Sequence, residues 1–227
     1  MEQHNKDRSR VSTVMEGLVR GIVEGHYGDV LPPQDVLSRA FGVSRTVMRE
    51  ALTMLLVRGM LDVRPKTGTR IRPVDEWRMI DGEVVSWRFR MKPDVRLERD
   101  VTELRRLIEP GAAALAAQRA TAAEIAGIRA ACEALGETSP AHEAHARAHA
   151  LFHSRIVAAS GNQLFRQMAE IIYAALTVTP FVVSAEAASA LEAEWAEQTQ
   201  TQRRVADAIE RHEPEEAQAA VLALIGG

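Results

Sequence analysis

The sequence predicts a mainly α-helical protein with two parts: three helices and a β-hairpin at the N-terminus, then an antiparallel bundle of helices. Apolar residues recur at helical spacing through most of the chain. One short region, residues 61–72, instead has two β-prone segments joined by a Pro/Gly turn. The charge divides at the same place, since residues 1–72 hold 12 Lys and Arg against 8 Asp and Glu, whereas residues 73–227 hold 16 against 23. The basic part fits binding to an anionic polymer, and the acidic part does not.

The first two helices precede a glycine turn. Residues 11–25 place seven apolar side chains at helical spacing, and Ser9 or Ser12 could cap the start of this helix. A short second helix is predicted over roughly residues 34–41. It opens after Leu31-Pro32-Pro33, because proline is tolerated in the first turn of a helix but not in its interior.

The third helix, which follows Gly42, is predicted to have two faces of different chemistry. At roughly 100° per residue, its apolar side chains fall on one side; they are Val47, Met48, Ala51, Leu52 and Leu55. The other side carries Arg45, Thr46, Arg49 and Thr53. Arginine can bind guanine edges through two N–H groups and hydroxyls can bind phosphates, so this face fits the major groove of DNA. The alternative is a solvated face with two arginines.

Residues 61–72 predict a hairpin whose tip carries Arg64, Lys66 and Arg70. Three helices followed by a basic hairpin form a winged helix-turn-helix. The candidate DNA-binding residues are Ser44, Arg45, Thr46, Arg49, Arg64, Lys66, Gly68 and Arg70.

This N-terminal region resembles the DNA-binding domain of GntR-family bacterial transcription regulators. The motifs that carry the resemblance are Leu31-Pro32, the Gly-Val-Ser-Arg turn at 42–45, Arg49-Glu50-Ala51-Leu52, and Gly68-Thr69. The chain departs from the family at Pro33-Gln34, where Ser-Glu is usual, and at Asp35, where relatives often carry an arginine that contacts phosphate. One backbone contact of the family is therefore not expected.

The remainder is predicted to be helical, with domains at 1–73 (winged helix-turn-helix), 74–95 (linker helix) and 96–227 (ligand binding and dimerisation). In the linker, Trp77, Ile80, Val84 and Trp87 lie close to helical spacing, and two tryptophans favour burial between domains or subunits over a plain surface helix. Later breaks divide the chain into helices at roughly 97–119, 122–136, 140–159, 162–179, 186–212 and 214–225.

This second part resembles the ligand-binding domain of the FadR-like (FCD) branch of the family, nearest to its sugar-acid (galactonate-type) repressors. The residues that carry the resemblance are Glu103–Pro110, Leu115-Ala116-Ala117, Phe152-His153 and Ala159–Asn162. In many members the bundle holds a divalent metal through Asp-x3-His and two later histidines. The metal and a nearby arginine then bind a carboxylate effector.

The chain departs from this metal pattern at three of four positions. His149 stands in place of the aspartate, His153 is retained, and Gln202 and Leu224 occupy the later histidine positions. Leucine cannot ligate and a glutamine amide is a poor ligand, although His149 and His153 could still chelate Zn or Ni. Arg105 is the candidate partner of an effector carboxylate. The alternative is that Arg105 is a surface arginine, since only one of the neighbours Arg105 and Arg106 is expected to point inward. The candidate effector-binding residues are Arg105, His149, His153, Asn162 and Gln202.

Four histidines follow one stripe of the predicted helix at 140–159. His142, His145, His149 and His153 fall within an arc of about 80° and could form a metal-binding or pH-sensitive face. We favour the alternative, in which the first two are solvated and only the later two face the bundle interior.

The sequence argues against an enzyme and against a membrane or secreted protein. It has no Gly-rich phosphate loop, GxSxG or HExxH, and none of the four histidines follows a glutamate by three residues. Its single cysteine, Cys132, suits helix packing in a reducing compartment, and no apolar run approaches membrane length. We expect a cytoplasmic homodimer that binds double-stranded operator DNA and a small carboxylate effector, most simply a repressor of a carboxylate or sugar-acid catabolic operon. In the alternative, the helical domain only dimerises or binds a protein partner.

Overall fold

The computed structural model describes residues 2–64, 68–92, 94–138, 143–178 and 185–226. The chain divides into two compact units, Met1–Pro93 and Asp94–Gly227. Each unit has its own apolar core, so each is described separately.

The first unit is a winged helix-turn-helix with one additional helix. Its elements within the described residues are α1 (Glu2–Val23), α2 (Gln34–Ala40), α3 (Arg45–Val57), β1 (Leu61–Arg64), β2 (Gly68–Ile71), a 3-10 turn (Val74–Glu76) and α4 (Gly82–Met91). The two strands pair antiparallel, with Leu61 opposite Ile71 and Arg64 opposite Gly68. The N–H of Leu31 donates to Thr69, which brings the segment before α2 against the outer edge of β2. The predicted fold class is confirmed for this part.

Helix α1 is longer than predicted. It begins at Glu2 rather than near residue 11, so Ser9 and Ser12 lie inside the helix and cap nothing. The Thr13 hydroxyl donates to the Ser9 carbonyl one turn earlier, as hydroxyl side chains in helices often do. Apolar spacing marks a helix only where one face carries apolar side chains, and the polar residues 2–10 have no such pattern.

The prediction of one continuous linker helix in the segment 74–95 was wrong. A 3-10 turn and an extended Trp77 come first, and α4 begins at Gly82 because the Asp81 carboxylate caps it, accepting from the N–H groups of Glu83 and Val84. Trp77 and Trp87 are 3% and 5% exposed and belong to the core of the first unit. The tryptophans therefore pack within the winged unit rather than between domains or subunits.

The second unit is all helical within the described residues, which confirms the predicted bundle. Its helices are α5 (Val95–Arg119), α6 (Ala122–Glu137), α7 (Glu143–Ala159), α8 (Gln163–Val178), α9 (Ala185–Glu210) and α10 (Pro214–Gly226). Helix α7 packs against α5, α6 and α8, and it is the element that carries the described histidine stripe. Alanine-rich faces let these helices approach closely, and Phe152, Ile128 and Ile209 fill the centre.

Helix ends in this unit are set by local capping. Thr121 and Glu124 form a reciprocal capping box at the start of α6.

Cys132 is buried on the same helix at 4% exposure, and burial raises the pKa of its thiol, which fits the packing role predicted for it. No helix in the described part of the chain is long and apolar enough to cross a membrane.

Candidate functional site

Helix α3 presents the two faces that the sequence predicts. The five apolar side chains of one face are buried, at 8% exposure or less, and hold α3 against α1 and α2. Ser44, Arg45, Thr46, Arg49 and Thr53 are exposed on the other face. Neither Arg45 nor Arg49 has an ion pair among the described residues, so both guanidiniums are available to an external anion.

The start of α3 is held rigidly, which positions this face. Gly42 has a positive φ of 64°, the left-handed conformation that a tight turn between α2 and α3 requires. The Ser44 hydroxyl then accepts from the Val47 N–H at 3.3 Å, which makes Ser44 the N-cap of α3. Gln34 donates through its side chain to the Arg45 carbonyl at 2.8 Å and ties α2 to α3. Asp35, the departure from the family pattern, pairs with Arg39 at 3.2 Å.

The wing arginines are held by carboxylates within the first unit. Arg64 donates to Asp62 at 2.9 Å, and Arg70 lies 3.9 Å from Asp29. Arg70 was predicted at the tip but lies within β2, opposite Asp62. Gly68 begins β2 with a φ of 84°. Lys66 lies outside the described residues.

A buried arginine joins the end of α3 to the start of α4. Arg58, the residue that ends α3, is 14% exposed, lies 3.2 Å from Asp81 and also pairs with Glu83. Its guanidinium stands over the Trp87 ring, 5.7 Å from the ring centre. Sequence reasoning missed this contact, because it depends on how the segment after the wing folds back.

The second unit contains a buried polar cluster on α5 and α7, formed by Arg105, Glu109 and His153. Arg105 donates through Nε to Glu109 Oε1 at 2.6 Å, and its Nη2 lies 3.3 Å from His153 Nδ1. His153 Nδ1 also lies 2.5 Å from Glu109 Oε2. Glu109 and His153 are each 1% exposed. Three polar groups buried together in an apolar bundle are costly unless they are fully paired or serve a ligand.

The charge state of the cluster follows from its contacts. Burial raises the pKa of the Glu109 carboxyl, but His153 and Arg105 together outweigh it and hold that pKa at about 2. Burial lowers the pKa of the His153 imidazole; the Glu109 carboxylate opposes this change and the Arg105 guanidinium adds to it. The cluster therefore contains an ionised carboxylate held against a guanidinium, and an imidazole whose neutral form is favoured by burial.

Other predicted effector residues lie in different surroundings. The His149 ring stacks edge-on against the His153 ring at 4.6 Å between centres, and Gln202 is buried on α9 at 2% exposure. The Asn162 carboxamide oxygen accepts from the backbone N–H groups of Leu164 and Phe165, so this residue caps α8. Within the described residues no hydrogen bond joins Asn162 to the polar cluster.

The histidine stripe is more deeply buried than expected. His145 was expected to be solvated, but it is 7% exposed, with Nδ1 3.3 Å from the Thr138 carbonyl oxygen. That expectation was wrong, because the end of α6 covers this part of α7. Burial lowers the pKa of the His145 imidazole. His142 lies outside the described residues.

A divalent metal fits the described donor set poorly. Two histidines, His149 and His153, stand together, but among the described residues no group of three His, Cys, Asp or Glu side chains could hold a metal ion. Leu224, at the fourth position of the family pattern, packs against the apolar core. A structural or catalytic zinc site ordinarily needs at least three protein ligands.

Glu109 is the cluster member that the sequence analysis did not select. The signal was present in its spacing, since Arg105 and Glu109 are four residues apart on one helix and side chains at that separation share a face. Of the arginine pair, Arg105 points inward and Arg106 is exposed, with its guanidinium near the Ile225 carbonyl.

A winged helix-turn-helix with an exposed arginine face, followed by a helical domain with a buried polar cluster, defines a DNA-binding transcription regulator. Family comparison specifies the class further. The model of the bacterial regulatory proteins of the gntR family matches residues 10–71, and the FCD domain model matches residues 100–227. The chain belongs to the GntR family and carries an FCD domain; it is a transcription regulator and not an enzyme.

Curated relatives include regulators of the galactonate and Glc operons. The galactonate operon transcriptional repressor of Escherichia coli (strain K12) is 27% identical over 162 residues, which are 70% of this chain and 71% of that protein. The Glc operon transcriptional activator of Escherichia coli (strain K12) is 30% identical over 70% of this chain and 65% of its own length. LutR of Bacillus subtilis (strain 168) is 30% identical over 62% of this chain and 63% of its own length.

Solved structures share the fold along almost the whole chain. The structure of Lar, which controls the expression of the Listeria monocytogenes agr system, has a TM-score of 0.61 at 14% identity and covers 95% of this chain and 93% of its own. A Streptococcus agalactiae GntR structure has a TM-score of 0.50 at 23% identity, with 95% and 97% covered. At these identities the likeness concerns the fold.

Proposed function

We propose that this regulator is a homodimeric repressor of a carboxylate or sugar-acid catabolic operon, released from its operator by a small carboxylate effector. The observation that carries the proposal is the buried Arg105–Glu109–His153 cluster in the FCD domain. Glu109 accepts from the Nε–H of Arg105 and Nη2 lies 3.3 Å from His153 Nδ1, so a carboxylate would use the terminal N–H groups that these two contacts leave over. The relatives that regulate the galactonate and Glc operons support this class of effector.

The dimer would place two copies of α3 on a palindromic operator. A helix-turn-helix dimer reads two half-sites about one helical turn of DNA apart, roughly 34 Å. An effector can change this placement only by binding the two states of the dimer with different affinity. The proposal therefore has two linked readouts, effector binding and operator release.

The test uses two neighbouring arginines. An operator is first selected from random DNA with the purified chain, and release is measured by gel shift against a panel that includes galactonate and glycolate. We expect Arg105→Lys, which keeps a cation beside Glu109 but loses the planar fork, to bind the operator normally but to lose release. Arg106→Ala, on the exposed neighbour, is the matched control and should keep both. Loss of operator binding by Arg105→Lys without effector would contradict the assigned role.

The competing function is a helical domain that only dimerises or binds a protein partner. It predicts that no acid in a broad panel changes the melting temperature, whereas a ligand that binds the folded state raises it. Repression is tested separately with a reporter behind the selected operator. Removal of the regulator should raise expression; a fall would reassign the chain as an activator.

A further inference from the structure

One atom of the polar cluster has no hydrogen-bond partner in the part of the chain that the structure describes. His153 Nε2 is buried and makes no hydrogen bond among the described residues, although its own ring is tightly held through Nδ1. A buried polar atom without a partner destabilises the folded state. Such an atom in a ligand-binding domain indicates where a ligand is contacted.

The contacts of the ring determine what Nε2 can do. An ionised carboxylate only accepts hydrogen bonds, so the 2.5 Å contact between Glu109 Oε2 and His153 Nδ1 requires the proton on Nδ1. In a neutral imidazole the other nitrogen is then a bare lone pair. Nε2 can therefore bind a hydrogen-bond donor or a metal ion, and it cannot donate.

The surroundings favour a donor over a metal. Arg105 places a permanent positive charge 3.3 Å from the same ring, which opposes a second cation. Gln202, at the third position of the family's metal pattern, is a poor transition-metal ligand, and Leu224 at the fourth is none. The described residues thus offer two imidazoles where a stable site needs more ligands.

We propose that this chain binds its effector without a metal, with His153 Nε2 accepting a hydrogen bond from a hydroxyl group next to the carboxylate held by Arg105. The inference rests on the proposed function, because it concerns the effector of the same site. Arg105 Nη2 lies 3.3 Å from Nδ1 of the same ring, and the proposed ligand places its carboxylate beside Arg105 and its hydroxyl, on the neighbouring atom, beside Nε2. The effector class is a 2-hydroxy acid. An ammonium donor is disfavoured, because it would add a second cation beside Arg105.

The experiment compares matched acids on the full chain after dialysis against a chelator, with metal content measured by mass spectrometry. Glycolate is paired with acetate, and lactate with propionate, so each pair differs by one hydroxyl. We expect at least one hydroxy acid to raise the melting temperature, by roughly 5–10 °C at 100-fold over its Kd, in metal-free protein. Its partner without the hydroxyl should have little effect.

Two variants separate the acceptor role from metal ligation. His153→Gln keeps a carbonyl oxygen that can accept from the ligand, whereas His153→Leu keeps bulk without an acceptor. We expect the melting shift to be reduced in the first variant and abolished in the second. The inference is overturned if the melting shift is lost in both variants and the wild type shifts only after Zn or Ni is added. That result leaves the proposed function intact. Equal shifts for both members of each pair overturn the acceptor role. No shift with any acid overturns the inference together with the proposed function.

Discussion

The arginines of the two candidate sites differ in exposure to water: those on α3 are exposed, and Arg105 is largely buried. This difference determines which kind of anion each site suits. Arg45 and Arg49 stand exposed on α3, where bulk water weakens each electrostatic contact and several must act together. Arg105 is 13% exposed, and its carboxylate partner Glu109 is 1% exposed, so a single contact there carries much more energy. The exposed pair suits a large anionic polymer, and the buried one suits a small anion.

The exposed arginine Arg49 gives a prediction for DNA recognition. Arg49→Ala should weaken operator binding by about 1–3 kcal/mol if the guanidinium binds a base edge, while affinity for random DNA changes little. Fluorescence anisotropy on the selected operator and on a scrambled duplex measures both. Arg99→Ala, at an exposed arginine of the second unit, is the control. An equal loss on both duplexes would show that Arg49 contacts phosphate instead.

The buried carboxylate Glu109 gives a prediction for stability. Glu109→Gln should lower the free energy of unfolding of the second unit by about 3 kcal/mol, because Arg105 then keeps its charge without a buried counter-ion. Adding Arg105→Met should restore part of that loss, since the unpaired charge is removed as well. Urea unfolding followed by circular dichroism measures the free energy of unfolding of the wild type, the two single variants and the double variant. Additive losses would mean that the two side chains do not interact in solution.

At the scale of elements, α4 completes the winged unit. Its N-terminus is held to the end of α3 by Arg58, and Trp87 on α4 is buried in the same core as α3. The chain leaves α4 shortly before Asp94, where the second unit begins.

Arg58 gives the prediction for this element. Arg58→Met keeps the packing over Trp87 but leaves Asp81 and Glu83 without their cation, and should destabilise the first unit by about 1–3 kcal/mol. Tryptophan fluorescence during urea unfolding, measured in a Trp195→Phe background, reports this loss, since Trp77 and Trp87 lie in that core. Arg78→Met, at an exposed arginine of the same segment, should change little. Equal midpoints for the two variants would show that the Arg58 contacts contribute nothing.

Elements defined by local spacing could be predicted, and contacts between distant segments could not. The two faces of α3 and the helix breaks at Thr121 and Pro214 follow from periodicity and capping within a few residues. The contact between His153 and Glu109 spans 44 residues and depends on how α5 packs against α7. The segment around Trp77 was misjudged for the same reason, since its apolar side chains match a helix but pack as an irregular turn.

At the scale of the whole molecule, the DNA-binding part and the helical part of the chain differ in net charge as well as in position. Residues 1–72 carry 12 basic against 8 acidic side chains, and residues 73–227 carry 16 against 23. A polyanion is therefore attracted to the first part and repelled by the second. Contacts between exposed cations and phosphates release counter-ions from DNA, which makes their strength fall steeply with salt. A buried ion contact is screened far less.

This separation predicts different responses of the two activities to salt. Raising salt from 50 to 200 mM should weaken operator binding by roughly 10³-fold or more if the dimer contacts six or more phosphates. The melting shift produced by a bound hydroxy acid should change little over the same range, because Arg105 is 13% exposed. Chloride is the anion of the added salt in both measurements. Repeating them with glutamate in its place tests whether the salt anion competes with DNA or with the acid for the same site. A shift that falls in parallel with operator affinity would place the acid on the exposed basic face rather than in the helical domain.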